Sequence, residues 1–126
     1  MSILSGLMGN AAQADLKDIK EDYGVLLGND EELLQAYKWI RDAMLFTNRR
    51  LIMIEVQGAT GKKVDYHSVP YKHIRHFSVE SAGPFDLDAE LKIWVAGMGA
   101  DPIVKTFSKD ADVYRVQALL AQQVGK

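Results

Sequence analysis

Residues 43–56 read AMLFTNRRLIMIEV. Two apolar runs flank the polar turn Thr47-Asn48-Arg49-Arg50, the pattern of a β-hairpin. The second run, Leu51-Ile52-Met53-Ile54, is apolar at every position. A strand alternates its side chains between two faces, so both faces of this arm need cover. One small sheet covers only one of them. We therefore expect one face of residues 51–54 to fill the domain interior and the other to meet a neighbouring subunit, with Leu51 and Met53 among the contact residues.

Working outward, strand-like segments continue on both sides. Before the hairpin, residues 33–40 alternate, with Leu33, Gln35, Tyr37 and Trp39 on one face and Leu34, Ala36, Lys38 and Ile40 on the other. Arg41-Asp42 forms a tight turn. After the hairpin, residues 57–63 make a glycine-bearing loop, and residues 64–69 form a strand that ends or bends at Pro70, which has no N–H to donate. Further strands are expected at 73–80, 90–96 and 103–107, separated by loops with Gly83-Pro84 and with Gly97 to Pro102. Residues 2–23 carry helical spacing through Leu4, Leu7, Leu16, Ile19 and Tyr23, with Gly24 as terminator. That stripe packs either on the domain core or on a neighbouring subunit. At the other end, Ser108 or Asp110 caps a helix whose apolar stripe is Val113, Val116, Leu119, Leu120 and Val124. Seven strands in meander order followed by an amphipathic helix describe a mainly β, curled sheet or small barrel. The expected organisation is one domain over 1–126: a helical segment at 1–27, seven strands at 32–107 and a capping helix at 109–124.

The bulk properties narrow the function classes. The chain has 126 residues, 48% hydrophobic and 25% charged, which suits one globular core. Fifteen Lys and Arg stand against 17 Asp and Glu, so no global field attracts nucleic acid and any anion binding is local. With no cysteine, disulfide frameworks, thiolate metal sites and thiol catalysis are excluded, and a reducing cytoplasm is compatible. The first residues lack the basic region of a signal peptide, and no run approaches the about 20 apolar residues of a membrane span. A soluble, cytoplasmic protein with at most peripheral membrane contact is expected.

Candidate chemistry is sparse. His73 and His76 sit three apart on an expected strand and so point to opposite faces, a poor metal pair; with His67 they read as surface residues. Gly58-Ala59-Thr60-Gly61-Lys62-Lys63 lacks the spacing and the following helix of a Walker loop. Asp86, Asp88 and Glu90 lack the glycine that a calcium loop requires, since Leu91 takes its place. No Gly-x-Ser-x-Gly elbow exists. Neither metal nor cofactor nor catalytic residue is expected, and no enzymatic activity. Two surfaces remain. In a meander the first and third turns lie at one end, which brings Arg41 near Lys62 and Lys63. These three cations form a basic rim for an anionic head group or phosphorylated ligand, each worth about 1 kcal/mol near an anionic membrane. Trp94 shares a polar face with Glu90 and Lys92 and suits an interface anchor, whereas Trp39, sharing a face with Tyr37 and Leu33, belongs either to the core or to the interface.

Several pieces together resemble the bacterial pleckstrin homology (PH) domain family: Phe46-Thr47-Asn48 with Arg50-Leu51, Gln57-Gly58 with Gly61-Lys62-Lys63, Pro70-Tyr71, and Phe85 to Leu91. The resemblance implies a PH-like barrel of seven antiparallel strands in two orthogonal sheets, closed by the C-terminal helix. It also implies closed homo-oligomeric rings with five-fold symmetry. Eukaryotic relatives bind phosphoinositides through a paired basic motif on their first two strands. Lys38 and Arg41 match part of that motif, but the second strand has no basic pair and Asp42 opposes it, so that activity does not carry over.

Overall fold

The computed structural model describes residues 12–80, 88–108 and 111–126. The central hairpin is β3 (Ala43–Thr47) and β4 (Arg50–Gln57), with every residue of β3 and all four of Leu51 to Ile54 buried. Their register pairs Met44 with Met53 and Phe46 with Leu51 on one face, and Ala43 with Ile54 and Leu45 with Ile52 on the other. The hairpin is flanked by β2 (Leu33–Lys38) and β5 (Lys63–Pro70), and β1 (Ala12–Gln13) adds to the far edge of β2. A second sheet holds β6 (Ile74–Glu80), β7 (Asp88–Val95) and β8 (Ile103–Ser108) in meander order. The helices are α1 (Leu16–Tyr23) and α2 (Val113–Val124).

Two apolar clusters result, one on each side of the hairpin. Met44, Phe46, Leu51 and Met53 pack against Leu91, Ile93 and Phe107 of the second sheet and Val116 and Leu120 of α2. On the other side, Leu45, Ile52 and Ile54 pack under Ile19 of α1, with Leu16, Tyr23, Leu26 and Leu27 around it. Burying each such side chain contributes about 1.5–3 kcal/mol. The doubly apolar arm is thus covered within its own chain. Leu51 and Met53 are 0% and 2% exposed inside the first cluster, so they offer no surface to a neighbour, contrary to the expectation.

Other expectations shift for local reasons. The first helix starts at Leu16, where Asp15 caps it by accepting from the Lys17 N–H at 2.8 Å. Ala12 and Gln13 are strand, not helix, because the free backbone edge of β2 takes them up: they pair with Lys38 and Tyr37. Residues 2–11 lie outside the described residues. A bulge between Leu33 and Gln35 puts Leu33 in the cluster with Ala36, and Leu34 in the one with Tyr37. The C-terminal helix is capped by Asp112, which accepts from the Arg115 N–H at 3.2 Å, and not by Ser108; Asp110 lies outside the described residues.

The seven longer strands do not close into one hydrogen-bonded barrel. Among the described residues no ladder joins the two sheets. Pro70 ends β5 and a single 3-10 turn, Tyr71–His73, carries the chain to the second sheet. Side chains make the closure instead. Trp39 Nε1 donates to the Thr106 carbonyl at 3.0 Å, Phe107 meets Tyr37 and Trp39 edge-on, and Lys105 pairs with Glu55 at 3.8 Å.

Candidate functional site

The β2–β3 turn brings Arg41 to the β4–β5 loop. The β2–β3 turn and the β4–β5 loop share one end of the first sheet. There the Arg41 guanidinium donates to the Gly58 carbonyl. Gly58 and Gly61 have φ of 77° and 70°, the left-handed region that tightens the loop at no steric cost. A β-carbon on Gly61 would lie 3.7 Å from Arg41 Nη2, so Arg41 rests against the loop that carries Lys62 and Lys63. All three cations are exposed. Asp42 stands beside them, and its carboxylate accepts from the Val56 N–H at 2.9 Å. The rim therefore offers charge at the surface of a loop, with one of its three cations already engaged by a carbonyl.

The expected interface aromatics have separate fates. Trp39 is half-buried, pinned by its bond to Thr106 and covered by Lys105 Nζ at 5.4 Å from the ring centre. It works as a staple between the sheets. Trp94 is half-buried on the outward side of β7 and stacks on His76, with ring centres 4.2 Å apart and planes 20° apart. His73 and His76 are both exposed, as surface residues; His73 lies on the 3-10 turn before β6 rather than on a strand, and a bulge between Ile74 and His76 interrupts the alternation of β6. Asp86 lies outside the described residues, and Asp88 begins β7. Among the described residues no three His, Asp or Glu side chains gather to hold a metal ion. No described helix is long and apolar enough to cross a membrane.

The densest polar site was not read from the sequence. It lies at the β3–β4 turn, centred on Glu31, whose side chain is 3% exposed. Arg50 clasps it in a two-pronged pair, Nε to Oε2 at 2.8 Å and Nη2 to Oε1 at 2.9 Å. The Thr47 hydroxyl donates to Oε2 at 2.6 Å and the Gly28 N–H to Oε1 at 3.0 Å. Arg50 also donates to the Leu26 carbonyl and the Ser68 hydroxyl, both at 2.7 Å. Asn48 accepts from the Glu32 N–H at 2.8 Å and donates to the Asp30 carbonyl at 3.2 Å. Tyr71 closes the far side by donating to the Thr47 carbonyl at 2.6 Å.

These bonds set the protonation states. The Arg50 guanidinium bonded to Glu31 outweighs burial and holds the carboxyl at about 2. The same bond raises Arg50 further above neutrality. Burial pushes the Tyr71 phenol up. No group here is poised to exchange a proton near pH 7, so the site acts as a clamp rather than an acid–base centre. What it clamps is the segment trailing α1. The Thr47-Asn48-x-Arg50 pattern was the available signal, but its partner Glu31 lies 19 residues away from Arg50.

Comparison with known proteins agrees with this architecture. The sequence profile of the bacterial PH domain matches residues 2–124. The uncharacterized protein YjqA of Bacillus subtilis is 44% identical over 121 residues, covering 96% of this chain and 97% of that protein. A protein with a pleckstrin-homology domain from Shewanella loihica is 52% identical with a TM-score of 0.82, over 92% of this chain and 98% of its own. A pleckstrin homology domain from Shewanella amazonensis is 50% identical with a TM-score of 0.71, over 96% and 97%.

Proposed function

The chain belongs to the bacterial PH domain family, and from that premise we propose that it is a non-enzymatic, cytoplasmic binding and scaffold module that assembles with copies of itself into a ring. The observation that supports this reading is the apolar surface left after the core is complete. Val25, Ile40, Val104 and Tyr114 are 91%, 65%, 45% and 67% exposed. Both faces of the central hairpin are covered within the chain, so contacts between copies fall to the periphery, where Trp94 is half-exposed. Light scattering coupled to size exclusion tests the reading. The expected result is a multiple of the 14.1 kDa chain mass, five-fold if the family resemblance extends to ring size. A clean monomer at micromolar concentration sinks it.

A second reading takes its support from Arg41 resting against the loop of Lys62 and Lys63. The rim then binds an anionic lipid head group or a phosphorylated ligand weakly. Sedimentation with anionic liposomes compares the wild type with the double variant Lys62→Glu/Lys63→Glu. Loss of binding in the variant supports the rim; equal, salt-insensitive partitioning of both counts against it.

A further inference from the structure

Charge is unevenly spread along the chain. Residues 15–32 carry seven acids against two lysines, whereas residues 66–79 contain no acid and gather Lys72, Arg75 and all three histidines. The fold brings both runs to the surface. On α1, Asp18, Glu21 and Asp22 are exposed, and their i, i+3 and i+4 spacing sets them along one side of the helix. Ile19 occupies the buried side, so the acids face away from the first sheet. Val25, on the 3-10 turn after the helix, is almost fully exposed.

The basic run lies on the second sheet. Lys72 and His73 sit on the 3-10 turn, and the β6 bulge brings Arg75 and His76 out together. Among the described residues none of these four has an ion-pair partner. Ala96 donates to the His73 carbonyl at 2.8 Å, which fixes the strip beside the β7–β8 loop and its exposed Met98. His76 already covers one face of Trp94. The strip is built for charge.

The two patches differ in sign and lie on different elements. One is on the helix covering the first sheet; the other is on β6 and the turn that leads into it. Contact between them is head-to-tail, the kind that closes into a ring when the rotation between copies closes. We propose that the acidic stripe of α1, Asp18, Glu21 and Asp22, docks on the basic strip of a second copy, Lys72, Arg75 and His76. This inference rests on the self-assembly reading and names its surfaces.

Charge reversal tests it. Two variants, Lys72→Glu/Arg75→Glu and Asp18→Lys/Glu21→Lys, are compared with wild type by light scattering at low and high salt. Circular dichroism checks folding, and the neutral pair Lys72→Ala/Arg75→Ala stands in if a reversed variant fails to fold. Each variant alone is expected to self-associate about tenfold more weakly or worse, and salt to weaken the wild type in the same direction. An equimolar mixture of the two reversed variants is expected to reassemble, since each reversed patch then faces its complement. If both variants assemble like the wild type, the contact lies elsewhere and this inference fails while self-assembly stands. A folded mixture that stays monomeric also overturns the pairing. A monomeric wild type overturns both readings. If wild type sediments with phosphatidylglycerol vesicles and Lys72→Glu/Arg75→Glu does not, the strip takes anionic lipid, and the second copy is the wrong occupant.

Discussion

The two ends of the β3–β4–β5 meander are built in opposite ways. At the Thr47–Arg50 end, a carboxylate is buried and receives donors from Arg50, Thr47 and Gly28. At the other end, Lys62 and Lys63 stand on an exposed loop, and Arg41 makes a bond to one carbonyl. Both ends looked alike as sequence: an arginine or lysine pair in a polar turn. The difference lies in what each end has to hold. The first end anchors the segment between α1 and β2, and through it the helix that seals Leu45, Ile52 and Ile54. The second end ties only the β2–β3 turn to the β4–β5 loop, which leaves Lys62 and Lys63 for solvent or for a ligand.

The comparison breaks most sharply at Arg50. Arg50→Ala leaves the Glu31 carboxylate buried without its counter-charge, and we expect a loss of about 3–5 kcal/mol in denaturant unfolding. Acid makes the same cut more gently. Glu31 is held at about 2, below its ordinary 4.5. A depressed carboxylate contributes stability above its unfolded value, and that contribution drains as pH falls from about 4.5 towards about 2. The expected loss is about 3 kcal/mol, read from urea melts between about pH 6 and pH 2.5, and Glu31→Gln should flatten that slope. Asn48→Ala removes the two bonds to residues 30 and 32 at the edge of the clamp and should cost about 1–2 kcal/mol by the same melts. Smallest is the rim: Arg41→Ala should cost less than about 1 kcal/mol, because its bond is solvent-exposed. A rim loss equal to the Arg50 loss would erase the distinction drawn between the two ends.

Much of the fold was legible because it rests on short-range patterns. The hairpin at 43–56, the order of the seven longer strands and the apolar stripe of α2 follow from alternation, turn residues and helical spacing. The approach of Arg41 to the β4–β5 loop was legible too, since it follows from meander topology. Boundaries set by long-range pairing were not. Ala12 and Gln13 carry no strand signal; they are strand because β2 offers an unpaired edge. Glu31 reads as one acid among several, and only the fold brings it to Arg50. The bulges at Leu33/Gln35 and Ile74/His76 reassign side chains to faces that strict alternation forbids.

The doubly apolar arm, Leu51 to Ile54, marks the limit between the two kinds of information. The sequence by itself determined that both faces of this strand avoid water, because side-chain direction alternates at every residue and all four are apolar. Which body covers each face was decided only in three dimensions. The second sheet and α2 take Leu51 and Met53, while α1 takes Ile52 and Ile54. A hydrophobic face is non-directional: it rewards any apolar cover equally. The clamp of Glu31 and Arg50, a directional contact between residues far apart in sequence, holds the segment that trails α1.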